Sequence, residues 1–407
     1  MNRLNKLAFS YLLCLGLMVY LTVFSFPSRP LFYQPKNLPT TTEIRGVWLT
    51  NVASGVLFLP WGINRAINQL SALKFNTIYP VVWNRGNTFY KSNTAKIVTG
   101  SGADPIVNLI HGGQDVLAKI IKVAQPQGLT VIPWFEYGFM TPPNSQLARR
   151  YPDWLTMGEE GIKSTNEIPL EEVNDNSAHQ QAWLNPLHPE VREFILALIV
   201  EVVSGYDVDG IQFDDHFGMP VKFGYDAFTV DLYRQEHDGN SPPSDPFNPK
   251  WMRWRANKIT DFMAEIYQSV KAIKPNAIVS LSPNSQGFAY KYYLQDWESW
   301  VRKGLVDELI LQVYRNNQSS FITELEQPAV KFARSRIPVG IGILTGTSKT
   351  PVNIAQIREQ VETVRDRTFG GVSFFYWESL WGSITPESPQ LRRNVFEKLF
   401  AGRAIRP

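Results

Sequence analysis

The chain has 407 residues, too many for a small scaffold and ordinary for one barrel with elaborated loops. Its formal charge is +3, and two of the cations, Arg3 and Lys6, sit in an apolar leader, so the remainder is near neutral and carries no basic footprint for nucleic acid. The single cysteine, Cys14, lies in the same leader, which excludes a disulfide, a thiolate metal site and a cysteine nucleophile from the folded part.

Met1 to Phe26 reads as an export signal: a basic start, then a nearly unbroken apolar run from Leu7 to Phe26. The run is either cleaved or kept as a membrane anchor, which places the protein outside the cytoplasm, in the periplasm or cell envelope. Residues 27–42 are Pro-rich and predict an extended tether. Residues 43–407 predict a single folded domain.

From Glu43 onward, apolar runs alternate with helical patterns. The predicted strands are 46–50, 76–83, 130–135, 210–214, 277–282, 308–313, 338–344 and 371–376. The predicted helices are 61–73, 115–125, 189–204, 250–274, 294–303, 327–335, 354–367 and 391–400, with apolar residues at three-and-four spacing. Gly128, Pro275 and Gly370 are stop signals. Eight strand–helix pairs specify an α/β fold, a single (β/α)8 TIM barrel. Two βα loops are long, 136–184 after the third strand and 217–248 after the fourth. Loops of that length are usually functional.

The stretch Asp209-Gly210-Ile211-Gln212-Phe213-Asp214-Asp215-His216 organises the prediction. Strand side chains alternate faces, so Gly210, Gln212 and Asp214 point into the lumen while Ile211 and Phe213 point out to the helices. Asp214 then stands at the C-terminal end of its strand, where barrel enzymes keep their chemistry, and Asp215 and His216 follow in the loop. The same alternation gives the rest of the polar lining: Trp48 and Thr50, Trp83 and Asn84, Trp134 and Glu136, Ser280, Ser282 and Asn284, Gln312 and Tyr314, and Tyr376 and Glu378. Three lumen carboxylates result, Glu136, Asp214 and Glu378. Glycoside hydrolysis needs two carboxyl groups flanking the bond, one as acid and one as nucleophile or base. Amides and aromatic faces around them suit hydroxyl recognition and sugar stacking. The expected substrate contacts are Trp83, Asn84, Trp134, Gln212, Asp215, His216, Asn284, Gln312, Tyr314, Tyr376 and Trp377. An aromatic content of 13%, with 12 Trp, fits both core filling and sugar stacking.

A metal-dependent amidase or deacetylase is the rival built on Asp214, Asp215, His216, His188 and His111. No H-x-H or H-x-x-x-H spacing occurs, and neighbours on one strand point apart, so no metal site is predicted. Glycine-rich phosphate loops are absent and no cofactor is required. A non-catalytic glycan-binding barrel is the other rival, because a fold does not dictate an activity.

Several stretches carry a specific resemblance: E-I-R-G-V-W-L-T at 43–50, V-I-P-W-F-E-Y-G-F-M at 131–140, W-L-N-P-L-H-P-E-V-R at 183–192, D-V-D-G-I-Q-F-D-D-H-F at 207–217, W-M-R-W-R at 251–255, S-L-S-P-N at 280–284 and F-F-Y-W-E-S-L-W at 374–381. On these the chain resembles the glycoside-hydrolase-like family 10 of bacterial envelope proteins, over residues 43–400. The resemblance implies a barrel acting on glycan strands, with peptidoglycan as the expected partner. It is similar, more distantly, to α-amylase-type barrels, whose fourth strand carries G-x-R-x-D with Asp as nucleophile. Gly210, Gln212 and Asp214 match that spacing with Gln in place of Arg. Where that group ends its fifth strand in a catalytic Glu, this chain has Ser282-Pro283-Asn284, so Glu136 or Glu378 is left to serve as the acid. Asp214 is expected as nucleophile or base.

Overall fold

The computed structural model describes residues 40–159, 161, 181–347, 349–382 and 384–407. The leader and most of the tether lie outside the described residues. No described helix is long and apolar enough to cross a membrane.

Eight parallel strands form the expected barrel: β1 Ile44–Leu49, β2 Thr77–Pro80, β3 in two segments (Thr130–Val131 and Trp134–Phe135), β4 Gly210–Asp214, β5 Ile278–Ser282, β6 Glu308–Gln312, β7 Val339–Leu344 and β8 Gly371–Phe375. The first segment of β3 pairs with β2, Thr77 to Thr130. The second pairs with β4, Gln212 to Trp134. The two ends of the sheet are therefore one stretch of chain, and the ring closes there. Pro133 lies at the break; it has no N–H to give, and its carbonyl accepts from Gln212 N at 2.8 Å.

The outer helices begin where short polar side chains accept from their first-turn N–H groups. Asp115 accepts from Ala118 N, Asn248 from Lys250 N and Trp251 N, and Ser388 from Leu391 N. Proline occupies the first helical position of Pro189–Gly205, Pro249–Ile273, Pro328–Arg334 and Pro389–Leu399. The fifth predicted helix differs from expectation. Leu294 adopts φ +56° and divides the region into Gln286–Tyr293 and Trp297–Arg302.

Side chains fill the lumen. Trp48 stacks on Tyr79 and meets Trp134 and Phe375 edge-on. Gly46 leaves room for them, since a Cβ there would lie 2.3 Å from Ser373 Oγ. A hydrogen-bonded chain crosses the barrel: Trp48 Nε1 donates to Gln212 Oε1 (2.7 Å), Gln212 Nε2 to Ser280 Oγ (3.0 Å) and Ser280 Oγ to Glu308 Oε1 (2.9 Å). Arg406 pairs with Glu308 and seals the bottom. The last residues of the predicted tether are pinned there too, because Thr41–Thr42 pairs in parallel with Ala404–Ile405.

The long loops have structure of their own. In the loop after β3, Met140–Thr141, Ala182–Leu184 and Leu155–Thr156 form a small antiparallel sheet. The loop after β4 contains the helix Ala227–Glu236 and is held by Arg255. That guanidinium is fully buried and donates to the carbonyls of Val221 and Phe223 (2.5 Å each) and Pro246 (2.7 Å), while lying over the Trp251 ring. Arg255→Met keeps the aliphatic volume but leaves three carbonyls without donors. It should cost roughly 3 kcal/mol or more in chemical denaturation. Hydrogen exchange should rise across 217–248 before the barrel strands; unchanged protection there would show that Arg255 does not hold the loop.

Candidate active site

Parallel pairing sets the geometry of the site. Phe135 stands opposite Phe213, so the next positions, Glu136 and Asp214, emerge side by side at the C-terminal mouth of the barrel. Ile211 and Phe213 face outward, with Phe213 packed on Phe135 and Phe217.

Asp214 is 2% exposed. Its Oδ2 accepts from Trp134 Nε1 at 3.1 Å, and its Oδ1 accepts from His216 N at 2.9 Å. His216 Nδ1 lies 3.1 Å from the same Oδ1 and 2.9 Å from the carbonyl oxygen of Glu136. Glu136 accepts from Thr50 Oγ1 (3.1 and 3.2 Å to its two oxygens) and from Asn84 Nδ2 (2.5 Å). Asp215 lies beside them, with Oδ1 3.9 Å from His216 Nδ1; its oxygens accept from Asn284 Nδ2 (2.9 Å) and Gln312 Nε2 (3.0 Å).

Burial dominates the electrostatics. It pushes the Glu136 carboxyl up to about 7, and the negative charge of Asp214 adds to the rise against the donors Asn84 and Thr50. Burial also raises Asp214, to about 6, while His216 works in the opposite direction. Burial disfavours a charged His216, but Asp214, Asp215 and Glu136 outweigh it and raise the imidazole to about 10. Near neutral pH the site therefore holds an imidazolium, an ionised Asp214 and a Glu136 that keeps its proton much of the time.

Glu378 differs from its predicted place. It sits in the first turn of the short helix Trp377–Trp381, beyond the end of β8. Its Oε1 accepts from Ser54 Oγ, from Gly55 N (3.0 Å) and from Val56 N (3.1 Å), which ties down the loop after β1. Its Oε2 is buried without a partner, and burial raises this carboxyl to about 7 against those donors.

The expected substrate contacts divide by depth. Trp83 is fully buried under the helix Pro189–Gly205, edge-on to Phe194, and donates to Gly138 O. Gln212 is fully buried in the lumen chain, and Asn84 is buried against Glu136. Trp134 is 3% exposed and braces Asp214. Tyr376 reaches Ala53 O with its hydroxyl, and Trp377 packs on Trp381. The partly exposed groups are Asp215, His216, Asn284, Gln312 and Tyr314, the last stacked on Phe375. Three groups escaped sequence reasoning. Ser54 holds Glu378; Tyr137 lays its ring against His216; Gln295 Nε2 donates to the carbonyls of Asp214 and Phe217. Gln295 gave no signal because its position read as helical surface.

The carboxylates and imidazole of Asp214, Asp215 and His216 are the one grouping of potential metal ligands among the described residues. An imidazolium offers a cation no lone pair at Nδ1, and Asp214 already accepts from Trp134 and His216. His111 lies elsewhere, bonded to Leu57 O, and His188 packs on Phe228.

The family model for glycosyl hydrolase-like 10 matches residues 43–363. The chain belongs to this family. It is 24% identical over 361 residues to the glycosyl hydrolase DigH of Escherichia coli K12, covering 74% of this chain and 75% of that protein. It is 24% identical over 319 residues to the glycosyl hydrolase YngK of Bacillus subtilis 168, covering 68% of this chain and 55% of that one. Among solved structures, the PgaB (BpsB) glycoside hydrolase domain of Bordetella bronchiseptica superposes with a TM-score of 0.62 at 13% identity, covering 90% of this chain and all of that one. The catalytic domain of β-amylase from Paenibacillus polymyxa gives 0.57 at 11% identity, covering 89% of this chain and 100% of that one. These likenesses show the fold, a glycosidase-type barrel, and the family is glycosyl hydrolase-like.

The raised carboxyl of Glu136 makes a prediction about stability. The unfolded chain releases this proton near the ordinary 4.5 of a glutamate, whereas the folded protein holds it to about 7. The stability from holding the proton is fully present below the unfolded value and is lost as pH rises through about 7. Glu136→Gln removes a buried charge at high pH only. Relative to wild type, the variant should gain on the order of 3 kcal/mol between pH 4 and pH 8. Denaturant melts at the two pH values check this; an equal difference at both would show that Glu136 titrates normally.

Proposed function

We propose that this protein is an exported glycoside hydrolase that cleaves glycan strands, with peptidoglycan as substrate. The observation that carries the reading is the adjacent buried pair Glu136–Asp214, raised to about 7 and about 6, at the C-terminal mouth of a glycosidase-type barrel. The family, and relatives named as glycosyl hydrolases, support the reaction class. The apolar run Leu7–Phe26 supports export, and the envelope-family resemblance supports a cell-wall substrate.

In this reading Glu136 is the general acid. It keeps its proton near neutral pH and delivers it to the leaving glycosidic oxygen. Asp214 is the nucleophile; Trp134 and His216 hold its oxygens in place, and the imidazolium keeps it ionised. A nucleophilic Asp214 forms a glycosyl-enzyme that water then hydrolyses with Glu136 as base, so the reading assigns net retention. Asp215, presented by Asn284 and Gln312, and the Tyr314–Phe375 stack meet the sugar at the reacting centre. Glu378 is a positioning residue that fixes the loop after β1.

Asp214→Asn should abolish turnover on peptide-free glycan strands and on an activated aryl glycoside alike. Glu136→Gln should lose the glycan strands but spare the aryl glycoside, whose leaving group needs no proton. Glu378→Gln should lower both together. Selective loss in Glu378→Gln, with uniform loss in Glu136→Gln, would transfer the acid role to Glu378. The wild-type kcat/KM on glycan strands should be bell-shaped, with limbs near 6 and 7, and on the aryl substrate, which needs no proton, only the acidic limb should remain. Product NMR at early times should show the retained anomer.

Chelation offers a separate check. EDTA should leave activity unchanged; loss restored by zinc would move the protein to the metal-dependent amidase or deacetylase class. Binding of glycan without any product from the wild type would instead establish a non-catalytic glycan-binding barrel.

A further inference from the structure

A line of aromatic rings leaves the catalytic centre and crosses the rim formed by the loops after β4 and β5. It starts at His216, whose ring lies 6.3 Å from Trp183. Trp183 is 6.1 Å from Tyr293, and Tyr293 is 6.0 Å from Phe288. Phe288 is 5.0 Å from Tyr292, which is 6.5 Å from Phe247. Trp183 is buried and anchors the line through Nε1 to Gly218 O. Tyr293, Phe288 and Tyr292 are partly exposed, and Phe247 is 37% exposed.

Trp183 belongs to the buried core and Tyr293 packs against it, while Phe288, Tyr292 and Phe247 extend the row outward. Tyr293, Phe288 and Tyr292 sit on the short helix Gln286–Tyr293 that follows β5, and Phe247 lies just before the helix Pro249–Ile273. Both positions are on the catalytic face, where the strands end. The backbone there is fixed: the carbonyls of Tyr292 and Tyr293 accept from Val221 N and Met219 N at 2.8 Å, so the loops after β4 and β5 are tied together. Lys291 lies over the Tyr292 ring, 5.0 Å from its centroid. Four rings, each only partly buried, make an apolar patch smaller than a protein interface of ordinary breadth. Its spacing is comparable with the repeat of consecutive pyranose rings in a β-linked chain, and the C–H faces of such rings pack on aromatic surfaces.

We propose that Tyr293, Phe288, Tyr292 and Phe247 form an extended binding track for several sugar units beyond the cleaved bond, so that the protein takes polymeric glycan in preference to short oligosaccharides. The inference rests on the glycosidase reading for the direction of the chain, but the binding of polymer to the track does not require turnover.

The test uses the full protein and two variants, Phe247→Ala combined with Tyr292→Ala, and Phe247→Tyr combined with Tyr292→Phe. Binding of long peptide-free glycan strands and of a disaccharide is measured in the Asp214→Asn background, and kcat/KM in the active protein on the strands and on an activated aryl glycoside. The alanine pair should weaken binding of long strands about tenfold and raise KM on them with kcat unchanged. It should leave kcat/KM on the aryl glycoside at the wild-type value. The aromatic pair should restore the long-strand affinity. Unchanged affinity for long strands in the alanine pair overturns the track, as does an equal loss on long and short ligands. If the wild type releases no product, the hydrolase reading fails, and the binding arm still decides the track.

Discussion

Closure of the sheet at β3 is the constraint on which the rest depends. The two segments of β3 serve two neighbours, β2 on one side and β4 on the other, with Pro133 at the break. Only a closed ring leaves no edge strand, and only parallel strands bring every C-terminal end to one face. That closure puts Glu136 beside Asp214, because the position after Phe135 and the position after Phe213 must then emerge together. Trp134 links closure to chemistry: its ring meets Trp48 and Phe375 in the lumen, and its indole N–H holds Asp214.

The lumen below the site then acts through the dielectric. Trp48, Tyr79 and Trp134 fill the barrel and keep water from the underside of the carboxyls, so each charge at the mouth depends on protein donors. Asn84 and Thr50 supply them to Glu136, Trp134 and His216 to Asp214. Burial outweighs the donors around Glu136 and Asp214, and this imbalance appears as raised carboxyl values. The same imbalance separates the acid from its ionised partner. A fully paired site would leave both carboxyls ionised and unable to deliver a proton.

The catalytic face is assembled by arginines that bond chiefly to backbone carbonyls. Arg255 gathers three carbonyls of the loop after β4. Arg392, also fully buried, donates to the carbonyls of Thr345, Val352, Ser379 and Leu380, joining the loops after β7 and β8, with Glu387 alongside. A planar guanidinium with five donors can satisfy irregular backbone that lacks a partner of its own. Long loops can thereby stay ordered beside a site that needs them, and the aromatic row after β5 rests on that order.

The sequence by itself determined the barrel, the order of its strands and the faces of the strand Gly210–Asp214. Period-two runs such as Gly210–Asp214 and period-three-to-four runs such as Ile354–Asp366 are local consequences of strand and helix geometry. Alternation placed Gln212 and Asp214 inward together, but it carries no information on depth. The tertiary structure buried Gln212 in the lumen chain and Trp83 under a helix, where sugar cannot reach, and left Asp215 and His216 partly exposed. The structure alone decided that Glu136 is coupled to Asp214 while Glu378 is bound to the loop after β1, residues more than 300 positions away in the chain. Partners that distant meet only when the ring closes, and burial, which sets their proton affinities, is a property of the whole assembly rather than of any stretch of sequence.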